Sequence, residues 1–256
     1  MLEKHILQQE AENAIKWIQQ FVENSGAKGI VIGNSGGKDS ATVLAMATKA
    51  IGKENVVAVS MPCNSQNSDF EDAKLVAETF GVRFIKIDLS SCYEEMEKKI
   101  NLQLSQKLSK EATINMKPRL RMTTLYGIAQ TLGYLVIGTG NLCEAMVGYT
   151  TKWGDNSSDF NPIGNFTVDE VLEIGRILGV SEKILNKAPN DGLGGLTDEE
   201  KMGIKYSQIA EMIETGNTDE NAKQEILKRF QSSKHKRKLV PIYMFERKNF
   251  LNNNII

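Results

Sequence analysis

The stretch KGIVIGNSGGKDS, Lys28 to Ser40, decides how the rest of the chain is read. Residues 29–32 are a short apolar run of the kind that makes a buried strand. Gly33, Asn34, Ser35, Gly36 and Gly37 follow, and a helix begins with Asp39 and Ser40. Two adjacent glycines let the backbone take conformations closed to other residues, so successive N–H groups can turn inward as an anion-binding nest. The helix behind them aims the positive end of its dipole at the same point. The stretch therefore reads as strand, phosphate loop and helix. Its plain alternative is a glycine-rich turn with no ligand.

Neither the Walker pattern GxxxxGK[ST] nor the dinucleotide pattern GxGxxG is present. Ser35-Gly36-Gly37-Lys38-Asp39-Ser40 instead puts an acid inside the cradle. A carboxylate beside a polyphosphate repels it unless a cation lies between, so Asp39 predicts Mg²⁺, which takes a carboxylate together with phosphate oxygens. This hexapeptide resembles the pyrophosphate-binding loop of the ATP pyrophosphatases. The resemblance implies cleavage of ATP between its α and β phosphates, adenylation of a substrate and release of pyrophosphate.

Upstream of the loop, residues 2–24 form an amphipathic helix with Ala11, Ala14, Ile15, Ile18, Phe21 and Val22 on one face, closed by Gly26. Downstream, a helix ending near Gly52 gives way to a strand at 56–60, a helix ending at Gly81 and a strand at 83–88. This alternation predicts an α/β fold, a Rossmann-like doubly wound parallel sheet with helices on both faces and the ligand at the carboxyl ends of the strands. Ser91-x-x-Glu94 reads as a capping box opening a helix to about residue 110, and 115–132 as a further helix. A fourth strand is expected at 134–138, then a turn through Thr139, Gly140 and Asn141 into a short helix bearing Glu144. Capping boxes at Thr167/Glu170 and Thr197/Glu200, helices near 206–215 and 219–231, and a basic run at 234–238 complete the pattern. The last dozen residues read as a tail. With no repeat, low-complexity segment or linker, residues 1–256 are expected to form one domain.

The bulk properties narrow the partners. A net charge of −1 gives no electrostatic footprint for nucleic acid. No apolar run reaches transmembrane length, and the acidic, amphipathic N-terminus does not suit a signal peptide. Cys63, Cys92 and Cys143 form no CxxC pair and no metal spacing, which suits reduced thiols in a cytoplasmic protein. Neither a nucleic acid nor a membrane is expected as a partner.

If ATP lies on the glycine loop, neighbouring strand ends must complete the site. Thr139 can donate its hydroxyl to a phosphate or carboxyl oxygen, and Asp39, Glu144 and Asp155 together would make an all-oxygen Mg²⁺ site. Taken singly, Glu144 also fits a residue that only complements its helix dipole, and Asp155 a turn residue. The polar loops at 155–165 and 188–197 are candidates for a cover that excludes water.

Longer blocks sharpen the resemblance. GTGNLCEAMVGYTTKWGD (138–155), NMKPRLRM (115–122), DFNPIG (159–164), KAPNDGL (187–193), TDEEKMGIKY (197–206) and HKRK (235–238) are similar, in the same order, to blocks of the ammonia-dependent NAD synthetases. That family makes NAD from deamido-NAD, ATP and ammonia, as homodimers with the dinucleotide bound across the subunit interface. The resemblance implies that Gly33, Asn34, Ser35, Gly36, Gly37, Lys38, Asp39 and Ser40 bind ATP. It implies Asp39 and Glu144 on Mg²⁺ with Asp155 as a further acid, and Thr139 on ATP or the adenylate. Arg119, Lys152, Asp159, His235 and Lys236 would bind deamido-NAD. As plain surface features, Arg119, Lys152 and the basic run would be solvated charges.

Three positions depart from the family pattern. Lys38 stands where Gln is usual, Val168 where a phosphate-binding Lys is usual, and Asn190 where a hydroxyl residue is usual. Lys38 is expected to supply the charge missing at Val168, and so to act in catalysis with Asp39 and Thr139. The amide of Asn190 can still donate to a phosphate. The chain is expected to use free ammonia, since 256 residues leave no room for a glutaminase domain. Two rival readings keep the loop: a tRNA sulfur-transfer enzyme, which would call for CxxC pairs and a basic surface, and a nucleotide-binding module that does not cut ATP.

Overall fold

The apolar run before the glycines becomes β1 (Ile30–Gly33), one residue later than hydrophobicity alone suggests. A computed structural model describes residues 2–65, 67–187 and 197–243. Among these, β1 joins β2 (Val56–Ser60), β3 (Arg83–Lys86) and β4 (Leu135–Ile137) in a four-stranded parallel sheet of order β3-β2-β1-β4. Ile30 lies opposite Val56 on one side and Leu135 on the other.

The pleat sorts the β1 side chains between two cores. Ile30 and Ile32 enter a core built with α1 (Lys4–Ser25), α2 (Lys38–Ile51) and α3 (Asn67–Phe80). Val31 enters the opposite core, with Tyr93 of α4 (Ser90–Leu104) and Ala129 of α5 (Lys110–Leu132). After β4 the chain makes α6 (Leu142–Val147), then returns to the first face as α7 (Val168–Ile177) and α8 (Glu182–Leu185). A smaller apolar cluster joins α6 to α9 (Asp198–Met202), α10 (Tyr206–Thr215) and α11 (Glu220–Ser232). The doubly wound α/β expectation holds.

Two expectations are corrected along this path. Ser91 does not cap α4: Asp88 accepts from the Ser90 N–H at 2.9 Å, and that turn starts the helix a residue early and ends β3 at Lys86. The helix then stops at Ser105 in the left-handed region (φ 53°), and α5 begins at Lys110, capped by Ser109, which accepts the Ala112 N–H at 3.2 Å. Pro118 lies in the interior of α5.

The segment expected to cover the site over 155–165 is built into the fold. Phe160 forms a parallel bridge with Ile137, and Asp159 accepts the Val136 N–H at 2.7 Å on the free edge of β4. Phe160 also stacks on Phe21 of α1 at 4.6 Å. Residues 188–196, with Asn190, and the tail from residue 244 lie outside the described residues.

Candidate active site

Going from β1, the sheet extends to β2 and β3 on one side and to β4 on the other. A crevice opens at the carboxyl ends of the two strands where the order reverses, and ligands of open α/β sheets bind there. β1 delivers the glycine loop to this crevice and β4 delivers Thr139, half-buried, with Gly140 and Asn141.

The loop is held from within. Asn34 is buried; its amide donates to the Ala73 carbonyl at 2.8 Å and its oxygen accepts the Gly36 N–H at 3.1 Å. Ser40 Oγ accepts the Ser35 N–H at 3.3 Å, and Ser35 Oγ accepts the Gly37 N–H at 3.3 Å. The glycine amides are thus occupied by side chains, not turned into the crevice as the nest reading expects. The open donors lie one step on. The first α2 bond runs from the Ala41 N–H to the Gly37 carbonyl, which leaves the N–H groups of Lys38, Asp39 and Ser40 as the helix N-terminus. Gly36 itself is required: φ is +73°, and a Cβ there would lie 2.7 Å from the Ala73 nitrogen and the Asp69 carbonyl oxygen.

Asn141 joins the two strand ends. Its amide donates to Asp39 Oδ1 at 3.2 Å. It also caps α6, accepting the Glu144 N–H at 3.0 Å while Glu144 Oε2 accepts the Asn141 N–H at 2.9 Å. Burial, and then the negative charge of Asp39, push the Glu144 carboxyl up to about 8. Lys38 is buried and its ammonium lies 3.1 Å from Asp39 Oδ2. Burial works to lower its pKa, but Asp39, Glu144 and Asp198 outweigh that and hold it above its ordinary value.

Two like-charged carboxylates pressed together, one with a raised pKa, are the donor set that a hard divalent cation relieves. Mg²⁺ takes one or two carboxylates and fills its remaining positions with phosphate and water, so Asp39 and Glu144 fit it. Among the described residues no group of three or more His, Cys, Asp or Glu is arranged for a metal, though the charge of Asp155 also acts on Glu144. Asp155 keeps solvent contact, and its carboxylate accepts the Thr151 N–H four residues back. Crowding by protein and the loss of hydration still raise its pKa, against the pull of Lys236.

Beside this cluster lies a cavity of about 220 Å³, lined in part by Gly138, Asn141, Asp155, Ser158 and Lys236. Lys236 donates to the Gly148 and Thr150 carbonyls at 2.8 and 2.6 Å, and Arg237 donates to the Ala145 carbonyl at 2.9 Å. Burial holds Lys236 below the usual ammonium range. Arg119 Nε donates to the Lys152 carbonyl at 3.2 Å, and the Lys152 ammonium sits 5.2 Å from the Trp153 ring centroid. Arg119 and Lys152 thus come together, as do Asp155 and Lys236. Asp159 does not join them: one oxygen takes the Val136 N–H and the other the Tyr126 hydroxyl at 3.3 Å. His235 is exposed on a short 3₁₀ turn.

The family model described as NAD synthase matches residues 10–241. The chain belongs to the NAD synthase family. It is 39% identical over 241 residues to the NH(3)-dependent NAD(+) synthetase of Finegoldia magna, covering 93% of this chain and 97% of that protein. Among solved structures, the NMN synthetase of Francisella tularensis is similar with a TM-score of 0.87 and 34% identity, over 93% of this chain and 99% of that one. The NH3-dependent NAD synthetase of Campylobacter jejuni matches at TM-score 0.77 and 28% identity, over 95% and 100%.

Within this NAD synthase fold, some site groups escape a reading of the sequence. Asn141 carried a legible signal, since Asn-x-x-Glu before an apolar run is a helix start. Its side-chain bond to Asp39, 102 residues away, did not. Tyr206 ends a family-like block without a role of its own there; its ring lies 5.6 Å from the Lys38 ammonium. Burial, then Glu144 and Asp198, hold its phenol far above the ordinary range. Asp198 is buried and accepts the Tyr149 hydroxyl at 3.1 Å. Val168 is buried in the apolar cluster of Cys143, Val147 and Tyr206.

Proposed function

We propose that this chain amidates the carboxylate of deamido-NAD with ammonia, driven by ATP, giving NAD, AMP and pyrophosphate. The reading is carried by the Asp39–Asn141–Glu144 bridge, which joins a phosphate loop to a second acid across the β1/β4 crevice. The deamido-NAD carboxylate attacks the α-phosphorus, and the bond to the bridging oxygen breaks with its electron pair going to pyrophosphate. Ammonia then adds to the acyl carbon, loses a proton, and AMP leaves. No protein nucleophile is needed, so catalysis is positioning and electrostatics.

The N–H groups of residues 38–40 and the Lys38 ammonium bind the triphosphate, within the loop formed by Gly33, Asn34, Ser35, Gly36 and Gly37. Asp39 and Glu144 would hold Mg²⁺, with Asp155 as a further acid; when bound, the ion supplies charge neutralisation at the phosphates. Thr139 donates to the adenylate, and Asn190 is assigned to a phosphate. Arg119, Lys152, Asp159, His235 and Lys236 are assigned to the acceptor, Asp159 through the segment it pins to β4. We also assign the protein to the cytoplasm and to a homodimer. Among the described residues no helix is long and apolar enough to cross a membrane.

A second acceptor is favoured by one observation, the similarity to an NMN synthetase at TM-score 0.87. It is nicotinate mononucleotide, which bears the same carboxylate without the adenylate half. Pyrophosphate release with ammonium and each acceptor in turn tests both, with bulk tRNA as a control. Release with deamido-NAD alone supports the main reading, and release only with the mononucleotide replaces it. Asp39→Ala is expected to abolish release with the fold intact by circular dichroism; retained turnover would remove the metal role.

A further inference from the structure

Several ion pairs outside the site join neighbouring turns of a single helix, such as Lys74–Glu78, Lys99–Glu95 and Arg229–Glu225. One knot differs. Asp72 of α3 is buried, and its two oxygens receive the ammonium groups of Lys183 and Lys187, each at 2.8 Å. Lys187 also reaches Asp69 at 2.9 Å. These pairs join residues more than 100 positions apart, tying the Asp69–Asp72 turn of α3 to Lys183 of α8 and to Lys187, two residues beyond its end.

That turn of α3 lies directly under the phosphate loop. A Cβ on Gly36 would come within 2.7 Å of the Asp69 carbonyl oxygen and 2.9 Å of the Asp72 Cβ. Asn34, which holds the Gly36 N–H, is itself anchored on Ala73, the next residue. α8 also reaches α2: a Cβ on Gly175 would lie 2.7 Å from both Leu185 Cδ2 and Thr42 Oγ1. The knot therefore ties α8, which packs on α2, to the turn of α3 that backs Gly36. Burial works to raise the Asp72 carboxyl, but both lysines overcome it and keep the acid ionised.

We propose that Asp72, with Lys187 as its principal partner, is a positioning device for the phosphate loop. It sets the place of Gly36 and of the α2 N-terminus, and so the affinity for Mg·ATP. This rests on the ATP-binding part of the function proposed above, and not on the identity of the acceptor. Removing Lys187 leaves Asp72 with Lys183 alone and takes the same ammonium from Asp69, so two carboxylates under Gly36 lose the charge that holds them together.

The test measures Mg·ATP affinity by calorimetry without acceptor, and separate KM values for ATP and deamido-NAD, in Lys187→Met, Lys187→Arg and Asp72→Asn. Lys187→Met is expected to weaken Mg·ATP binding and raise KM for ATP by ~10-fold, equivalent to about 1.4 kcal/mol, with KM for deamido-NAD within about twofold. Lys187→Arg is expected to restore most of the affinity, since it keeps a charge on Asp72. Unchanged Mg·ATP affinity in Lys187→Met overturns the proposal. So does a parallel rise of both KM values that tracks a fall in melting temperature, which marks a purely structural role. Should Asp72→Asn fail to fold, Lys187→Met at the accessible end of the pair still decides. Because calorimetry needs no acceptor, an inactive enzyme that binds Mg·ATP leaves the clamp testable while refuting the acceptor reading.

Discussion

Glu144 is where capping, charge and metal chemistry meet in one side chain. As the third residue of α6 it closes the capping box with Asn141, and as a carboxylate it faces Asp39. In the free protein these roles conflict, because burial and Asp39 raise its pKa from 4.5 to about 8. Between those values the folded chain holds a proton that the unfolded chain has released, so stability falls as pH rises through the window and levels beyond it. Thermal melts without Mg²⁺ or ATP are expected to show the melting temperature declining from about pH 5 to about pH 8. Glu144→Gln keeps the oxygen that accepts the Asn141 N–H and is expected to flatten the profile. Parallel profiles for the two proteins would mean that the charge is not destabilised by its surroundings. The sequence showed that an acid stands here; the proton it carries depends on a neighbour 105 positions earlier, Asp39.

At the scale of the element, α6 has six residues and would not persist alone. Its N-terminus is tied by Asn141 and its C-terminus by a basic clamp, with Lys236 on the Gly148 and Thr150 carbonyls and Arg237 on that of Ala145. Cations at a helix C-terminus satisfy orphan carbonyls and oppose the dipole. Lys236→Met is expected to lower stability by about 1–2 kcal/mol in urea denaturation. It is also expected to raise KM for deamido-NAD more than for ATP. Unchanged stability would show that the clamp is idle in the free protein. Periodicity and capping made most helices legible but put the α4–α5 break too late, after about residue 110, whereas α4 ends at Leu104 and α5 begins at Lys110. A left-handed Ser105 and an interior Pro118 are tolerated there because the surrounding fold fixes what local propensity disfavours.

For the molecule as a whole, ligand binding at the crevice adds to the contacts that Asn141 and the sheet make between the ends of β1 and β4. Mg·ATP at 100 times its dissociation constant is expected to stabilise the fold by ~2.7 kcal/mol, and chelating Mg²⁺ is expected to remove most of that gain. Differential scanning calorimetry checks both. ATP stabilising equally well in EDTA would separate Asp39 and Glu144 from any metal.

The sequence by itself determined the parallel sheet, the place of the phosphate loop and the chemical classes at the site. Each of these is set by local pattern: an apolar tetrapeptide, glycines before a helix, an acid among phosphate-binding groups. Only the tertiary structure decided which of those groups meet. It joined Asp39 to Glu144 through Asn141, bonded Asp155 to the Thr151 N–H, committed Asp159 to the edge of β4, and braced Gly36 on Asp72 and its lysines. Such choices turn on which strand ends and helix turns come within about 3 Å of one another, a distance that no spacing along the chain encodes.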